Sequence, residues 1–484
     1  MLSIAILLAE GTTLAAEEAR PEPADSAVSG EFLAPAATRL SWFDRMPWGS
    51  GGGKSSAETC ADLDRQCARL EPFYGCTVDT IVVSGNTHTK TVTILREMAT
   101  KQGARLEERL IRRDASFLRG LAYFAEVGIE AESVEDGKCR IMVTVVDRPG
   151  LFMRVPYPVV NYDFEKGLSY GVNWKIKNFR GLAEDLSVTA MARRDKEDGA
   201  GFSWNIPWVM GRRVALRFNA YAYKRIEVPV DTDEDYIKEQ YAVETGLGVP
   251  ITRSLVRQLW FRTTLSFEGR DSRLTFNDEL GDISRGLSHQ NFVAVGAELS
   301  YDSRADRISP FSGMLHRARL KRYSSVSGPE QHYIFYGFSD YFYVPVGVER
   351  SFIIALDGDI REGNLPSYYL MKLGGVGDVR GFSDNDLRGT VKLVGSLQYR
   401  ARLFGPHVFR LPKIGEFDVA MNGVAFFDNG SLMDSILDAN TSTVYSTGGL
   451  GIEIISPFRD LIRLEMASDG TGKPAFYMTA GASF

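Results

Sequence analysis

Gly374-Gly375-Val376-Gly377-Asp378-Val379-Arg380-Gly381-Phe382 reads GGVGDVRGF and lies between two runs in which apolar and polar residues alternate. Glycines at 374, 375, 377 and 381 permit positive φ and close backbone approach, so the segment can fold back on itself. Its one arginine carries a charge that is never lost and five donors that need acceptors. A wet, polar barrel interior supplies such a place, and the flanking sequence reads as a barrel.

Outward from this loop, residues 152–484 contain no convincing helix. Alternating segments recur at spacings of roughly 20 residues, as transmembrane strands and their turns do. They fall at 152–162, 167–179, 185–194, 199–207, 211–225, 236–250, 255–270, 288–303, 312–324, 331–344, 350–362, 389–404, 415–428, 444–456, 460–468 and 474–484, sixteen in all. An even count suits a single-chain antiparallel barrel. In the segment ending the chain, Phe476, Met478, Ala480, Ala482 and Phe484 share one face, and Tyr477, Thr479, Gly481 and Ser483 the other. In 461–467, Ile462, Leu464 and Met466 oppose Arg463 and Glu465. Charge confined to one face suits a polar lumen, because an Arg or Lys facing lipid at mid-depth costs about 2–4 kcal/mol. A soluble sandwich would leave one face of so many long strands uncovered.

Composition agrees. The 484 residues include 28 Phe, 20 Tyr and 6 Trp, and 24% are charged, with a formal net charge of -6 that gives no reason to expect nucleic acid as a partner. No run of about 18 apolar residues offers a transmembrane helix. There is no GxSxG, HExxH or P-loop, and no Cys/His spacing resembles a zinc site, so neither enzyme chemistry nor a metal or cofactor is expected.

Residues 1–24 resemble a secretory signal through the run MLSIAILLAEGTTLAA, although no Lys or Arg precedes it and Glu10 interrupts it. Residues 25–75 read as a low-complexity linker, and 76–149 as a small α+β domain ordered strand, helix, helix, strand, strand. Its strands are expected at Thr77–Ser84, Phe124–Ser133 and Lys138–Val146, and its helices at Thr89–Thr100 and Leu106–Leu121. The last strand is apolar on both alternations, which predicts cover on both faces. Cys60, Cys67, Cys76 and Cys139 are either disulfide partners or buried thiols, two alternatives the sequence leaves open.

The module at 76–149 before a sixteen-segment barrel at 150–484 resembles a single POTRA domain on an Omp85 superfamily barrel of the BamA/TamA or surface antigen D15 type. Val379-Arg380-Gly381-Phe382 matches that family's signature sixth extracellular loop in residues and position. Val394–Tyr399 (VGSLQY), Phe426–Gly430 (FFDNG), Gly167–Leu186 and Tyr301–Gly313 resemble its neighbouring strands and turns. The resemblance implies that Arg380 meets inward residues of the following strands, here Gln398 and Asp428. Gln398 stands where relatives often carry a carboxylate, with Asp378 or Glu453 as substitutes. It also implies a seam between the first and last strands, weakened by Pro156 and Pro158, which cannot donate to a ladder, and by Gly481 beside Phe484. At such a seam an Omp85 insertase opens sideways and templates client strands. The implied location is the bacterial outer membrane, with the small domain in the periplasm offering a strand edge at 124–133. The implied partners are the lipid bilayer, unfolded outer-membrane or secreted polypeptides, and periplasmic accessory proteins. The alternatives are a two-partner-type secretion pore that uses the lumen, and a passive structural barrel.

Overall fold

The computed structural model describes residues 56–480 except 122, 149–155, 164–166, 194–196, 228–234, 253–257, 279–280, 305, 307, 366–369, 412–414, 441, 457–460 and 471–473. The signal-like residues 1–24, Gly481 and Phe484 therefore lie outside the described residues.

Helix α1 spans Ser56–Leu70, inside the stretch expected to be a linker. Its Leu63, Cys67 and Leu70 recur at helical spacing, and Cys67 and Leu70 are buried in the core of the small domain. Beyond it come β1 (Thr77–Ser84), α2 (Thr91–Glu97), α3 (Glu108–Gly120), β2 (Phe124–Glu135) and β3 (Lys138–Asp147). The sheet order is β1-β3-β2, with β1 parallel and β2 antiparallel to β3. The central strand buries Cys139, Ile141, Val143 and Val145 completely against Ile94, Met98, Ile111 and Leu118. Its other face is open, with Val82 and Val146 exposed, contrary to the expectation of cover on both faces. Both helices are shorter than expected, and α3 presents Ile111, Ala115 and Leu118 to the core. Among the cysteines, Cys76 and Cys139 form a disulfide and Cys67 is a free buried thiol; burial pushes its pKa up.

All sixteen expected segments are strands, closed into one antiparallel barrel. They are β4 (Tyr157–Asp163), β5 (Gly167–Phe179), β6 (Glu184–Arg193), β7 (Glu197–Ile206), β8 (Ala215–Glu227), β9 (Asp235–Pro250), β10 (Gln258–Asp278) and β11 (Gly281–Asp302), followed by β12 (Gly313–Ser327), β13 (His332–Gly347) and β14 (Arg350–Gly363). A loop holding the short hairpin β15 (Met371–Gly374) and β16 (Ser383–Gly389) leads to β17 (Val391–Leu411), β18 (Gly415–Met433), β19 (Tyr445–Ile455), β20 (Leu461–Ser468) and β21 (Ala475–Ala480). The largest departure is the β10–β11 hairpin, whose 21- and 22-residue strands continue well past the expected ends at 270 and 288.

The alternation separates outside from inside. On β5, Leu168, Tyr170, Val172 and Trp174 are exposed while Ser169 between them is buried. On β14, Phe352, Ile354 and Leu356 are exposed, whereas Asp357 and Asp359 border the lumen. Backbone groups are satisfied strand to strand and the exposed apolar side chains face outward, which is the arrangement a bilayer accepts.

Candidate functional site: the inward loop, the seam and the docked rim

The loop between β14 and β17 turns back into the barrel. Gly381 has φ +88, and a Cβ there would come within 2.9 Å of Ala467 on β20, so glycine is required for this approach. Val379 is fully buried over Gly430 of β18, where a Cβ would meet its Cγ2 at 2.4 Å. Phe382 packs on Tyr445 of β19, ring centroids 4.3 Å apart, and the Tyr477 hydroxyl of β21 accepts from the Gly381 N–H at 2.9 Å. Two side chains, the close approach of Gly381 and its amide thus fasten the loop to four strands.

Arg380 sits at the centre, 5% exposed. Its Nε and Nη2 donate to the two Asp428 oxygens at 2.7 and 2.8 Å, the bidentate fork expected of a guanidinium–carboxylate pair. Nη1 donates to Glu465 Oε1 at 2.6 Å, Nη2 reaches Ser396 Oγ at 3.3 Å, and the guanidinium carbon lies 3.4 Å from the Phe426 ring centroid. Such a desolvated cation is stable only because two carboxylates and a π-face surround it. Gln398 does not touch Arg380; its Nε2 donates to Ser396 Oγ at 3.1 Å, one step removed. Asp378 pairs with Lys392 at 2.9 Å, and Glu453 belongs to another cluster. The second carboxylate is Glu465 of β20, which the sequence reading did not assign to the loop. Its signal was present, since Arg463 and Glu465 are the charged alternates of an otherwise apolar strand.

Below this cage, toward the small-domain end, lies a second buried ionic cluster. Glu453 pairs with Arg400 at 2.8 Å and Arg463 at 3.4 Å. The β11–β12 turn folds against it: Asn422 Nδ2 donates to Ser309 Oγ at 2.9 Å, and Arg400 Nη1 donates to the Pro310 carbonyl at 3.0 Å. Beside the Arg380 cage remains a cavity of about 630 Å³ lined by Arg317, Arg319, Tyr341, Asp357, Asp359 and Lys392 among others. Among the described residues no group of three His, Cys, Asp or Glu is placed to hold a metal ion.

The barrel closes where β21 meets β4. Among the described residues that junction has two registered pairs, Tyr477 with Asp163 and Met478 with Tyr162. The flanking pairings have seven between β4 and β5 and six between β20 and β21. Past the second pair, the Ala480 N–H donates to the Asn161 side chain at 2.8 Å instead of to a β4 carbonyl. Pro156 precedes β4, and Pro158 is its second residue, registered only with Val172 of β5.

The small domain is docked on the barrel rim beside this junction. The β5–β6 turn places Asn178, Arg180 and Ala183 at φ +52, +59 and +59, a strained path for residues with a Cβ. Asn178 Nδ2 donates to Thr89 Oγ1 at 2.8 Å, and its Oδ1 accepts from the Ala183 N–H at 2.8 Å. The Gly181 carbonyl accepts from Lys90 N and Thr93 Oγ1 at 2.9 and 2.8 Å. Trp208, in the β7–β8 turn, donates its Nε1–H to Glu97 at 2.8 Å. Asp147 shapes the domain's half of the joint, accepting from the amides of Thr87, His88 and Thr89 and from the Thr89 hydroxyl. Burial raises its pKa, but these hydrogen bonds to the charged form outweigh it and hold Asp147 below the usual carboxylate value.

A closed antiparallel barrel of sixteen strands, oily outside and charged inside, with a glycine-rich loop pinned in its lumen, defines a transmembrane β-barrel of the outer-membrane type. Residues 178–484 match the Omp85 superfamily domain, and the chain belongs to that superfamily. Its fold is similar to that of CdiB from Escherichia coli, with 15% identity, a TM-score of 0.59, and 94% of this chain and 92% of that chain covered. CdiB from Acinetobacter baumannii is similar at 13% identity and TM-score 0.55, over 85% and 74% of the two chains. BamA from Haemophilus ducreyi lacking POTRA domains 1-3 is similar at 16% identity and TM-score 0.52, over 84% of each chain.

Proposed function

We propose that this protein inserts polypeptides into, or passes them across, the bacterial outer membrane, working at its β21–β4 seam. In this reading residues 76–149 form a POTRA domain on the periplasmic side, and no covalent chemistry is involved. The observation that carries it is the contrast between two hydrogen-bonding states of the wall. Among the described residues the seam has two registered pairs, whereas eighteen join β17 to β18. At roughly 0.5–1.5 kcal/mol net per hydrogen bond, parting the seam is the least costly way to open the barrel. Parting it exposes unpaired edges on β4 and β21, and such an edge recruits another strand. The lumen offers less, because the Arg380 cage and the Ser309–Pro310 turn brace it at two depths.

The test is site-specific photocrosslinking to an unfolded outer-membrane β-barrel client during assembly into liposomes. Crosslinkers would replace Tyr162 and Phe476 beside the seam or Gln398 in the lumen. Capture at the seam, with capture at Phe476 abolished by a Tyr162→Cys/Met478→Cys disulfide across a registered pair that also stops insertion, is the expected result. Capture at Gln398 with the seam locked would overturn the seam reading in favour of a secretion pore. No capture at either place, with steady small-solute conductance, would leave a structural barrel.

A further inference from the structure

The small sheet has two outer strands, and β2 is the one predicted to hold an extended polypeptide. Its outward edge is already occupied. Gln66 Nε2 of α1 donates to the Ile129 carbonyl at 3.1 Å, and Arg119 Nη2 of α3 donates to the Val127 carbonyl at 3.2 Å. The same Arg119 nitrogen donates to Gln66 Oε1 at 3.1 Å, which ties the two caps together. Val127 and Ile129 are two residues apart, so their carbonyls point the same way, away from β3. These are acceptors that an added strand would use.

We propose that helix α1 is a resident gate on the β2 edge, and that an extended client segment binds this edge by displacing it. The inference rests on the polypeptide-handling reading above. Geometry gives the reason for exchange over simple addition. Gln66 and Arg119 already donate to the two carbonyls that the N–H groups of an added strand would take, so α1 and a client strand compete for the same acceptors. The gate is held by side chains alone: its caps, the Asp64–Arg112 ion pair and a short apolar face of Leu63, Cys67 and Leu70, with no ladder to β2. A client strand offers backbone N–H groups to the same carbonyls. Arg65, Arg69 and Arg119 line the gap between α1 and β2 against one carboxylate, Glu130, so its net charge is positive and suits a client bearing a carboxylate there.

The probe is a synthetic peptide with this chain's own sequence 475–484, AFYMTAGASF, ending in a free carboxylate. It would be offered to the full chain in liposomes with a photocrosslinker in place of Glu130, which is exposed on β2. Gln66→Ala can neither donate to Ile129 nor accept from Arg119, and Leu63→Ala loosens the apolar face. Retention of the Cys76–Cys139 disulfide and of heat-modifiable gel migration reports that both variants are folded. Capture at position 130 is expected to rise at least fivefold in each variant over the parent. Equal capture in parent and variants, or none in any, overturns the gate. Client insertion measured in the same liposomes separates the two ideas. If insertion persists while capture is uniform, the gate alone fails; if insertion is absent while capture rises as expected, the insertion reading fails and the gate stands.

Discussion

Replacing Arg380 with alanine should destabilise the barrel more than any other single change in the loop. Asp428 is fully buried and Glu465 is 3% exposed, so the variant leaves two carboxylates in the wall without their cation. Removing one partner of a buried ion pair costs about 3–5 kcal/mol. The Ser396 hydroxyl that donates to Asp428 at 2.6 Å keeps the cost within that range. At about 1.4 kcal/mol per factor of ten, the folded-to-unfolded ratio should fall roughly 100- to 4000-fold. Arg380→Lys should lie between, since an ammonium keeps the charge but loses the fork and the planar contact with Phe426. In Arg380→Ala/Asp428→Asn, where one stranded charge is gone, the loss should be smaller than the sum of the single effects by about 1–3 kcal/mol. The assay is the urea midpoint in detergent micelles, with cold gel migration as a second readout. Arg388→Ala, at an exposed arginine of the same loop, is the control and should stay within about 0.5 kcal/mol of the parent. Were Arg380→Ala to match Arg388→Ala by both readouts, the cage would not hold the loop.

Three further outcomes concern the small domain and its dock. The Asp147 pKa is depressed in the folded state, so its contribution is present above the ordinary carboxylate value and lost as pH falls through the folded value; limited proteolysis between the small domain and β4 should accelerate below about pH 4, and Asp147→Asn should remove most of that pH dependence. Reducing the Cys76–Cys139 bond, whose sequence separation is 63, should destabilise the small domain by up to about 4 kcal/mol while leaving the urea midpoint of the barrel unmoved. Gly181→Ala would place a Cβ 2.3 Å from the His88 carbonyl at φ +75 and should release the dock, read as faster hydrogen exchange at Lys90 and Thr93 without loss of barrel migration.

The barrel was legible because a bilayer enforces a two-residue period along every strand. Leu168, Tyr170, Val172 and Trp174 declare their face by chemistry alone. The β10–β11 extension was not legible, since beyond the membrane no such period is imposed, and Arg273 through Ser288 alternate poorly. The loop arginine and Asp428 could be paired through family resemblance. Glu465 could not, because its proximity is created by barrel closure, which brings β20 to a loop 85 residues away. Helix α1 was hidden for a similar reason. Its apolar face comprises Leu63, Cys67 and Leu70 in a polar stretch that follows a Gly- and Ser-rich one, so composition masked a helix stabilised by tertiary packing.

Strong braces and the weak seam are arranged so that opening need not break either brace. On one side of the seam, the loop grips β18 through Asp428, β20 through Glu465 and β21 through Tyr477. On the other side, β5 and β6 are held to the small domain by the Asn178–Ala183 turn, and β7 and β8 by Trp208. The strands nearest the seam therefore belong to two separately fastened groups, and the two registered pairs lie between them. Parting those pairs moves each group as a unit. A loop anchored across the seam, with contacts to β4 in place of β20, would instead resist the same motion with its full ionic strength. In the seam reading proposed above, the cage steadies the edge that would template a strand and leaves the junction itself free to part.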